Sequence, residues 1–224
     1  QSSSPASALK DDKEKISYAL GMRLASEVKR LRSMSVEIDS DLVAQGLKDA
    51  LSGKTLLTPD ERIFVLSQLQ KDLIAKEQQQ KELEAEANKR EGEAFLAANK
   101  TKEGIVTLPS GLQYKILTQG TGPKPAPTDT VVCNYKGTFI DGNEFDSSAK
   151  RGQPLTVSVI GVIPGWTEAL VRMPVGSEWQ LFIPPALAYG ERGFGSDIKP
   201  NATLIFDLEL LSIKEKEKQA APAK

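Results

Sequence analysis

The sequence contains no histidine and one cysteine, Cys133. Without histidine there is no imidazole general base, no Ser-His-Asp triad and no basis for most zinc, copper or iron sites. One cysteine excludes an intramolecular disulfide. It alternates in step with Tyr135, which reads as a small buried apolar residue. No apolar run approaches the ~20 residues that a membrane helix needs. No charged-then-apolar leader is present. An excess of one charge is missing too, with 29 Lys and Arg against 30 Asp and Glu. Residues 1–103 carry 17 basic and 18 acidic groups, and the remainder 12 of each. Such balance gives no electrostatic drive toward nucleic acid, so none is expected as a partner. No metal and no cofactor is expected either.

Glycine and proline are scarce in the first half and plentiful in the second. Of 17 glycines, 13 lie from Gly104 onward, and of 13 prolines only Pro5 and Pro59 precede it. Both residues interrupt helices and mark turns. The chain therefore divides near residue 104 into a helical part and a β-rich part. The small polar start, Gln1 to Ala8, reads as the processed end of an exported protein, with residues 1–9 disordered.

Ile16, Ala19, Leu20, Leu24, Val28 and Leu31 recur at spacings of three and four and predict one helix. Leu42, Val43, Gly46, Leu47, Ala50 and Leu51 predict a second, capped by Asp39 or Ser40 and ended by Gly53. Residues 10–57 hold too few large apolar groups for a core of their own, so pairing with a second copy is expected. Thr58-Pro59-Asp60-Glu61 has the pattern of a capping box with proline at the first helical position. A long helix is expected from there, within 58–103, interrupted only by the poor helix former Gly92. Between Lys76 and Glu93 it is almost wholly polar, which reads as a solvent-bridging stalk.

From residue 104 to 213 the pattern alternates. Leu112, Tyr114 and Ile116 share one face, as do Val131, Cys133 and Tyr135, and again Leu204, Phe206, Leu208 and Leu210. Asp141-Gly142 signals a hairpin. One short helix begins at Pro164-Gly165-Trp166. The expected class is α+β: an all-helical N-terminal module, a long connecting helix, then an antiparallel sheet curved around one short helix. Residues 214–224 read as a disordered tail.

Aromatic and aliphatic residues crowd the turn-rich segments around Tyr135, Phe145-Asp146, Val162 to Trp166, Ala188-Tyr189-Gly190, Phe194 and Phe206. Placed at several strand ends, they fit a pocket better than a uniform core. Three blocks, YKGTFIDGNEFDSS, GVIPGWTEAL and IPPALAYGERGFG with IKPNATLIFDLELL, resemble the FKBP-type peptidyl-prolyl isomerase domain in order and spacing. The preceding segment, with KISYALGMRLASEV, resembles the macrophage-infectivity-potentiator class of bacterial FKBPs. In that class an N-terminal helical domain dimerises, and the long helix holds two catalytic domains apart in a V-shaped dimer.

The resemblance implies a pocket built by Tyr135, Phe145, Asp146, Val162, Ile163, Trp166, Tyr189 and Phe206. Trp166 would floor the site under a proline ring. The Tyr189 hydroxyl and the Ile163 backbone N–H would hold substrate carbonyls, with Asp146 at the rim near Arg151. Leu155 stands where some relatives have an aromatic residue, and Phe194 lies in the loop over the pocket. The implied activity is rotation of X–Pro bonds in unfolded or newly exported client proteins, with chaperone activity as a dimer. The alternative is a chaperone or adaptor that binds clients without turnover. A macrolide inhibitor would occupy the same pocket. Residues 104–224 alone would keep short-peptide isomerase activity and lose most client protection. The implied location is the periplasm or the outer membrane, with the cytoplasm as the alternative.

Overall fold

The structure is a computed structural model and describes residues 9–214. The expected disorder at either end lies outside the described residues, apart from Leu9, which belongs to no helix or strand, and Lys214, the last residue of a strand. The chain divides into two compact units, Gln1–Glu77 and Gln78–Lys224.

The first unit is helical, and its ends follow the side chains that cap them. Helix α1 (Asp12–Ser33) starts at Asp11, whose carboxylate accepts a 2.8 Å bond from the Glu14 N–H. Helix α2 (Ser40–Ser52) starts at Asp39, which accepts from the Asp41 and Leu42 N–H groups, and stops at Gly53 with φ 70°. Helix α3 (Pro59–Asn99) opens with the reciprocal box. The Glu61 N–H donates to Thr58 Oγ1 at 3.2 Å, and the Thr58 N–H donates to Glu61 Oε2 at 2.8 Å. Each such cap stabilises by ~1 kcal/mol. No residue of α1 or α2 is buried. Leu20, Met22, Leu42, Leu47 and Leu51 stand exposed in water, as the shortage of core residues implied.

The second unit is a seven-stranded antiparallel sheet. Its strands are β1 (Ile105–Thr107), β2 (Gln113–Thr118), β3 (Thr130–Phe139), β4 (Glu144–Ser147), β5 (Leu155–Ser158), β6 (Glu178–Ile183) and β7 (Leu204–Lys214). They run in the order β1-β2-β6-β7-β3-β4, and β5 pairs with β3. The long β3 and β7 lie side by side at its centre, from Thr130 opposite Lys214 to Phe139 opposite Leu204. Their alternating residues Val131, Cys133, Leu204, Leu208 and Leu210 are wholly buried on one face. Helix α4 (Pro164–Leu170) packs there through Trp166, Ala169 and Leu170. The β2 stripe departs from its expected face. Leu112 is buried but Ile116 is 41% exposed. The β1 partner covers only Gln113–Lys115, and the register with β6 shifts after Ile116.

The opposite face of the sheet corrects the reading of residues 76–93 as a stalk. The C-terminal part of α3 belongs to this unit and lies on that face. Phe95 packs against Phe182 at 6.0 Å between ring centres. The Asn99 side chain donates to Gln113 Oε1 at 3.0 Å, and the Gln113 amide donates to the Leu96 carbonyl at 2.9 Å. Asn99 and Gln113 are both buried, so each needs the bonds it makes. Gly92 lets the helix backbone approach Thr203 at the start of β7, because a methyl group at residue 92 would collide with Thr203 Oγ1. The docked residues Ala85, Asn88, Gly92, Phe95, Leu96 and Asn99 recur every three or four positions. This is an ordinary helix face in which small and amide side chains precede the larger Phe95 and Leu96.

Candidate active site

The pocket arises where the strands of the sheet leave a gap beside α4. Strand β3 brings Tyr135, the hairpin partner β4 brings Phe145 and Asp146, and β7 brings Phe206. Gly137 leaves room for two of these rings over the sheet. A Cβ at that position would meet the Phe145 ring at 2.6 Å and the Phe206 ring at 2.8 Å, so both rings pack directly against the strand backbone. The loop before α4 supplies Val162 and Ile163, and its first turn supplies Trp166. The segment after β6 supplies Tyr189 and Phe194.

All eight residues expected at the site line one cavity of about 410 Å³. Arg151, Leu155, Gly161 and Phe194 complete it. Gly161 was missed by the sequence reading, because a residue that contributes only backbone leaves no chemical signature. Trp166 is 4% exposed and sits at the base. Tyr135 and Phe206 stand edge-on to its ring, at 5.3 and 5.2 Å between centres with interplanar angles of 75° and 86°. Phe145 stands edge-on to Phe206 at 5.5 Å. Edge-to-face pairs of this kind hold one another rigid and add ~0.5–1.5 kcal/mol each beyond burial.

One wall is polar. The Tyr135 hydroxyl donates to Asp146 Oδ2 at 2.7 Å, and the Arg151 guanidinium pairs with the same oxygen at 2.6 Å. Arg151 also lies over the Tyr135 ring at 5.9 Å. Burial pushes the Asp146 carboxyl up, but the bonds from Arg151 and Tyr135 outweigh it and leave its pKa below the ordinary value. Burial, reinforced by Asp146, pushes the Tyr135 phenol up to about 12. Burial and then the Asp146 charge raise Tyr189 as well. Asp146 is therefore ionised and both phenols are neutral across the physiological range. None of these groups is poised to take up or release a proton near neutrality.

Two donors on residues that line the cavity have no hydrogen-bond partner among the described residues. The Tyr189 hydroxyl makes no hydrogen bond within the described residues, and its ring stacks on Phe194 at 5.1 Å. Ile163 precedes α4, where its carbonyl accepts from the Trp166 and Thr167 N–H groups. Its own N–H meets no backbone carbonyl among the described residues. Among those residues there is also no cluster of three or more His, Cys, Asp or Glu that could hold a metal ion. Cys133, wholly buried beneath the sheet, has its thiol pushed up to about 12 by burial and by Glu209, and takes no part in the site.

An antiparallel sheet with a short helix on one face and an aromatic-lined cleft beside that helix define the class of domain. Comparison with known proteins gives the class its family. Residues 122–211 match the model of the FKBP-type peptidyl-prolyl cis-trans isomerase domain. Residues 13–116 match that of the domain amino-terminal to such isomerases. The chain is 50% identical over 211 residues to the outer membrane protein MIP of Legionella longbeachae, spanning 94% of this chain and 89% of that protein. It is 43% identical over 212 residues to the peptidyl-prolyl cis-trans isomerase Mip of Coxiella burnetii, spanning 94% and 91%. The crystal structure of FkpA from Escherichia coli superposes with a TM-score of 0.76 at 38% identity, covering 92% of this chain and 98% of that one. The chain belongs to the FKBP-type peptidyl-prolyl cis-trans isomerase family, as the three sequence blocks had implied.

Proposed function

We propose that the 410 Å³ cavity is where this chain rotates X–Pro bonds, and that Trp166 floors the bound proline ring. The observation that carries the reading is the convergence of Tyr135, Phe145, Asp146, Val162, Ile163, Trp166, Tyr189 and Phe206 on one apolar cleft. An X–Pro amide prefers trans by only ~0.5–1 kcal/mol, yet interconverts over tens to hundreds of seconds. The ~18–20 kcal/mol barrier is the loss of amide resonance on twisting. A twisted amide is less polar than a planar one. Aromatic walls that exclude water therefore favour it relative to the ground state, and binding is tighter in the transition state. The Tyr189 hydroxyl and the Ile163 N–H hold the flanking carbonyls while the bond turns. Asp146 anchors the Tyr135 ring and the Arg151 side chain, so its role is to shape the wall. No proton moves, which is how a chain without histidine can catalyse.

The test is a proline-limited peptide isomerisation assay on the full chain and on Trp166→Leu and Asp146→Leu variants shown by circular dichroism to be folded. Acceleration by the parent and loss of about tenfold or more in each variant is expected, the scale of a removed transition-state contact. A folded parent with no acceleration would leave client binding without turnover as the function. Clients are proline-containing unfolded or newly exported proteins, and a macrolide inhibitor competes for the same cavity. The similarity to an outer membrane protein supports a periplasmic or outer-membrane-associated location. No described helix is long and apolar enough to cross a membrane.

The helical unit serves as a homodimerisation module through residues 10–57, and the pair binds clients as a chaperone. Many of its apolar side chains are left exposed within the unit, although Val28, Leu31, Val36 and Ile38 are half-buried. Ile16 and Met22 of α1 are 62% and 61% exposed, and Leu42 of α2 is 62% exposed. An apolar recess of about 570 Å³ between α2 and the start of α3, lined by Leu42, Ala50, Leu56 and Leu57, is open to receive the second copy. Exposed Ile63, Phe64 and Leu66 extend the same surface into α3. Leu20→Glu and Leu47→Glu are expected to give monomers in sedimentation. A dimer that survives both substitutions would move the interface elsewhere.

A further inference from the structure

The loop that carries Tyr189 and Phe194 into the pocket has little structure of its own. Between β6 and β7 it contains two single 3-10 turns, Pro185–Leu187 and Gly190–Arg192, and one bridge, between Phe194 and Ile198. Such a segment holds a fixed position only if something outside it supplies the bonds. Ile198, buried in the core, is one anchor. Leu187 and Ala188 pack against the same core, and a further anchor is α3, on the far side of the sheet from α4. The Asn88 amide donates to the Pro200 carbonyl at 2.8 Å. The Asn201 amide donates in the opposite direction, to the Ala85 carbonyl, at 3.3 Å. Carbonyls only accept, so both amides must present their NH2 groups, and the two bonds form a reciprocal cross-brace. Lys199 and Glu84 add a peripheral ion pair at 3.8 Å, too exposed to contribute much.

Asn201 passes the anchorage on to the pocket. Among the described residues it is one of two non-glycine residues with positive φ, at 56°. In that conformation its N–H donates to the Gly190 carbonyl at 2.9 Å, directly after Tyr189. One residue thus ties helix α3 through its side chain and the pocket loop through its backbone. We propose that Asn88 and Asn201 are positioning residues for the isomerase reaction, and that α3 braces the loop presenting Tyr189 and Phe194 to substrate. This rests on the reading of the cavity as the substrate site.

The full-length protein and its Asn88→Ala and Asn201→Gly variants test it. Glycine accepts the positive φ, so the second change removes the side-chain bond without adding backbone strain. Gln113→Ala is the control. It loosens the same helix at β2, away from the loop, and reports what a merely structural loss does. In folded samples, both asparagine variants are expected to lower kcat/KM about fivefold, the worth of one neutral hydrogen bond, mainly through KM. Amides of residues 188–201 should exchange about tenfold faster while those of β3 and β7 do not, the mark of local rather than global opening. Gln113→Ala should lower stability and leave the kcat/KM of the folded protein within about twofold, because it touches neither loop nor substrate. Asparagine variants that keep parental kcat/KM and loop exchange, or that merely track Gln113→Ala, would overturn the brace. A parent with no isomerase activity would overturn the substrate-site reading instead, and the exchange rates would still decide whether α3 holds the loop.

Discussion

Replacing Gly92 by alanine pits two well-understood effects against each other. In a helix interior alanine is favoured over glycine by ~1 kcal/mol. Here the added Cβ would lie 3.2 Å from Thr203 Cβ and well inside contact distance of Thr203 Oγ1, where atoms of these types settle at ~3.5 Å or more. Either the helix lifts off the sheet or the threonine leaves its rotamer, and overpacking of this kind costs ~1–3 kcal/mol. The net expectation is a loss of about 1 kcal/mol. Thr203→Ala should reverse the sign. Thr203 Oγ1 is buried with no partner among the described residues, so removing it sheds an unsatisfied hydroxyl and takes away the severest overlap, leaving a few tenths of an ångström for the remaining Cβ to yield. In the double variant the helix preference is recovered, and the two changes should couple favourably by about 2 kcal/mol. Urea unfolding followed by tryptophan fluorescence is the assay, because Trp166 and Trp179 both lie in the sheet unit. Additive effects, or a stabilising Gly92→Ala on its own, would refute the claim that α3 is seated on β7 at this glycine.

The pH profile of kcat/KM should be flat from about pH 6 to 9, because no catalytic proton transfer is needed and no site group titrates there. Asp146 has a lowered folded pKa, so its contribution to stability is present above the unfolded value of ~4 and is lost only as pH falls through the lower folded value. Tyr135 ionises only near 12. A bell-shaped profile centred near neutrality would contradict the mechanism. Fragment behaviour provides a further check. Residues 78–224 should retain the fold and the peptide activity. Residues 104–224, expected from sequence to suffice, should be less stable by about 3 kcal/mol or more, through an uncovered Phe182 and the orphaned partners of Asn99 and Asn88. Equal urea midpoints for the two fragments would show that α3 is dispensable there.

Local chemistry made much of this protein legible in one dimension. Asp39, Gly53 and the Thr58–Glu61 pair mark helix ends, because a cap is satisfied by atoms two to four residues away. Alternation of Val131, Cys133 and Tyr135 marked a buried strand face, because side chains of a strand point to opposite sides with period two. The eight pocket residues were legible by motif and not by periodicity. Aromatic residues beside turns look the same whether they fill a core or line a cleft, and only the resemblance of three blocks singled them out.

Tertiary structure decided what depends on distant partners. The polar stretch of α3 has no large apolar stripe, so it reads as solvated. Its docking face is built from Ala85, Asn88, Gly92 and Asn99, whose value appears only beside Pro200, Thr203 and Gln113. Gly92 looked like a weak point in a helix and is instead the place where β7 comes closest. Asp146, alone in sequence, could be a turn or salt-bridge residue or a polar partner that shapes the pocket. Folding puts it between the Tyr135 hydroxyl and the Arg151 guanidinium, both bonded to its Oδ2. Secondary structure and caps were written in the sequence because they arise from neighbours along the chain. The brace on the pocket loop was not, because it joins residues more than a hundred positions apart, and nothing in either segment signals the other.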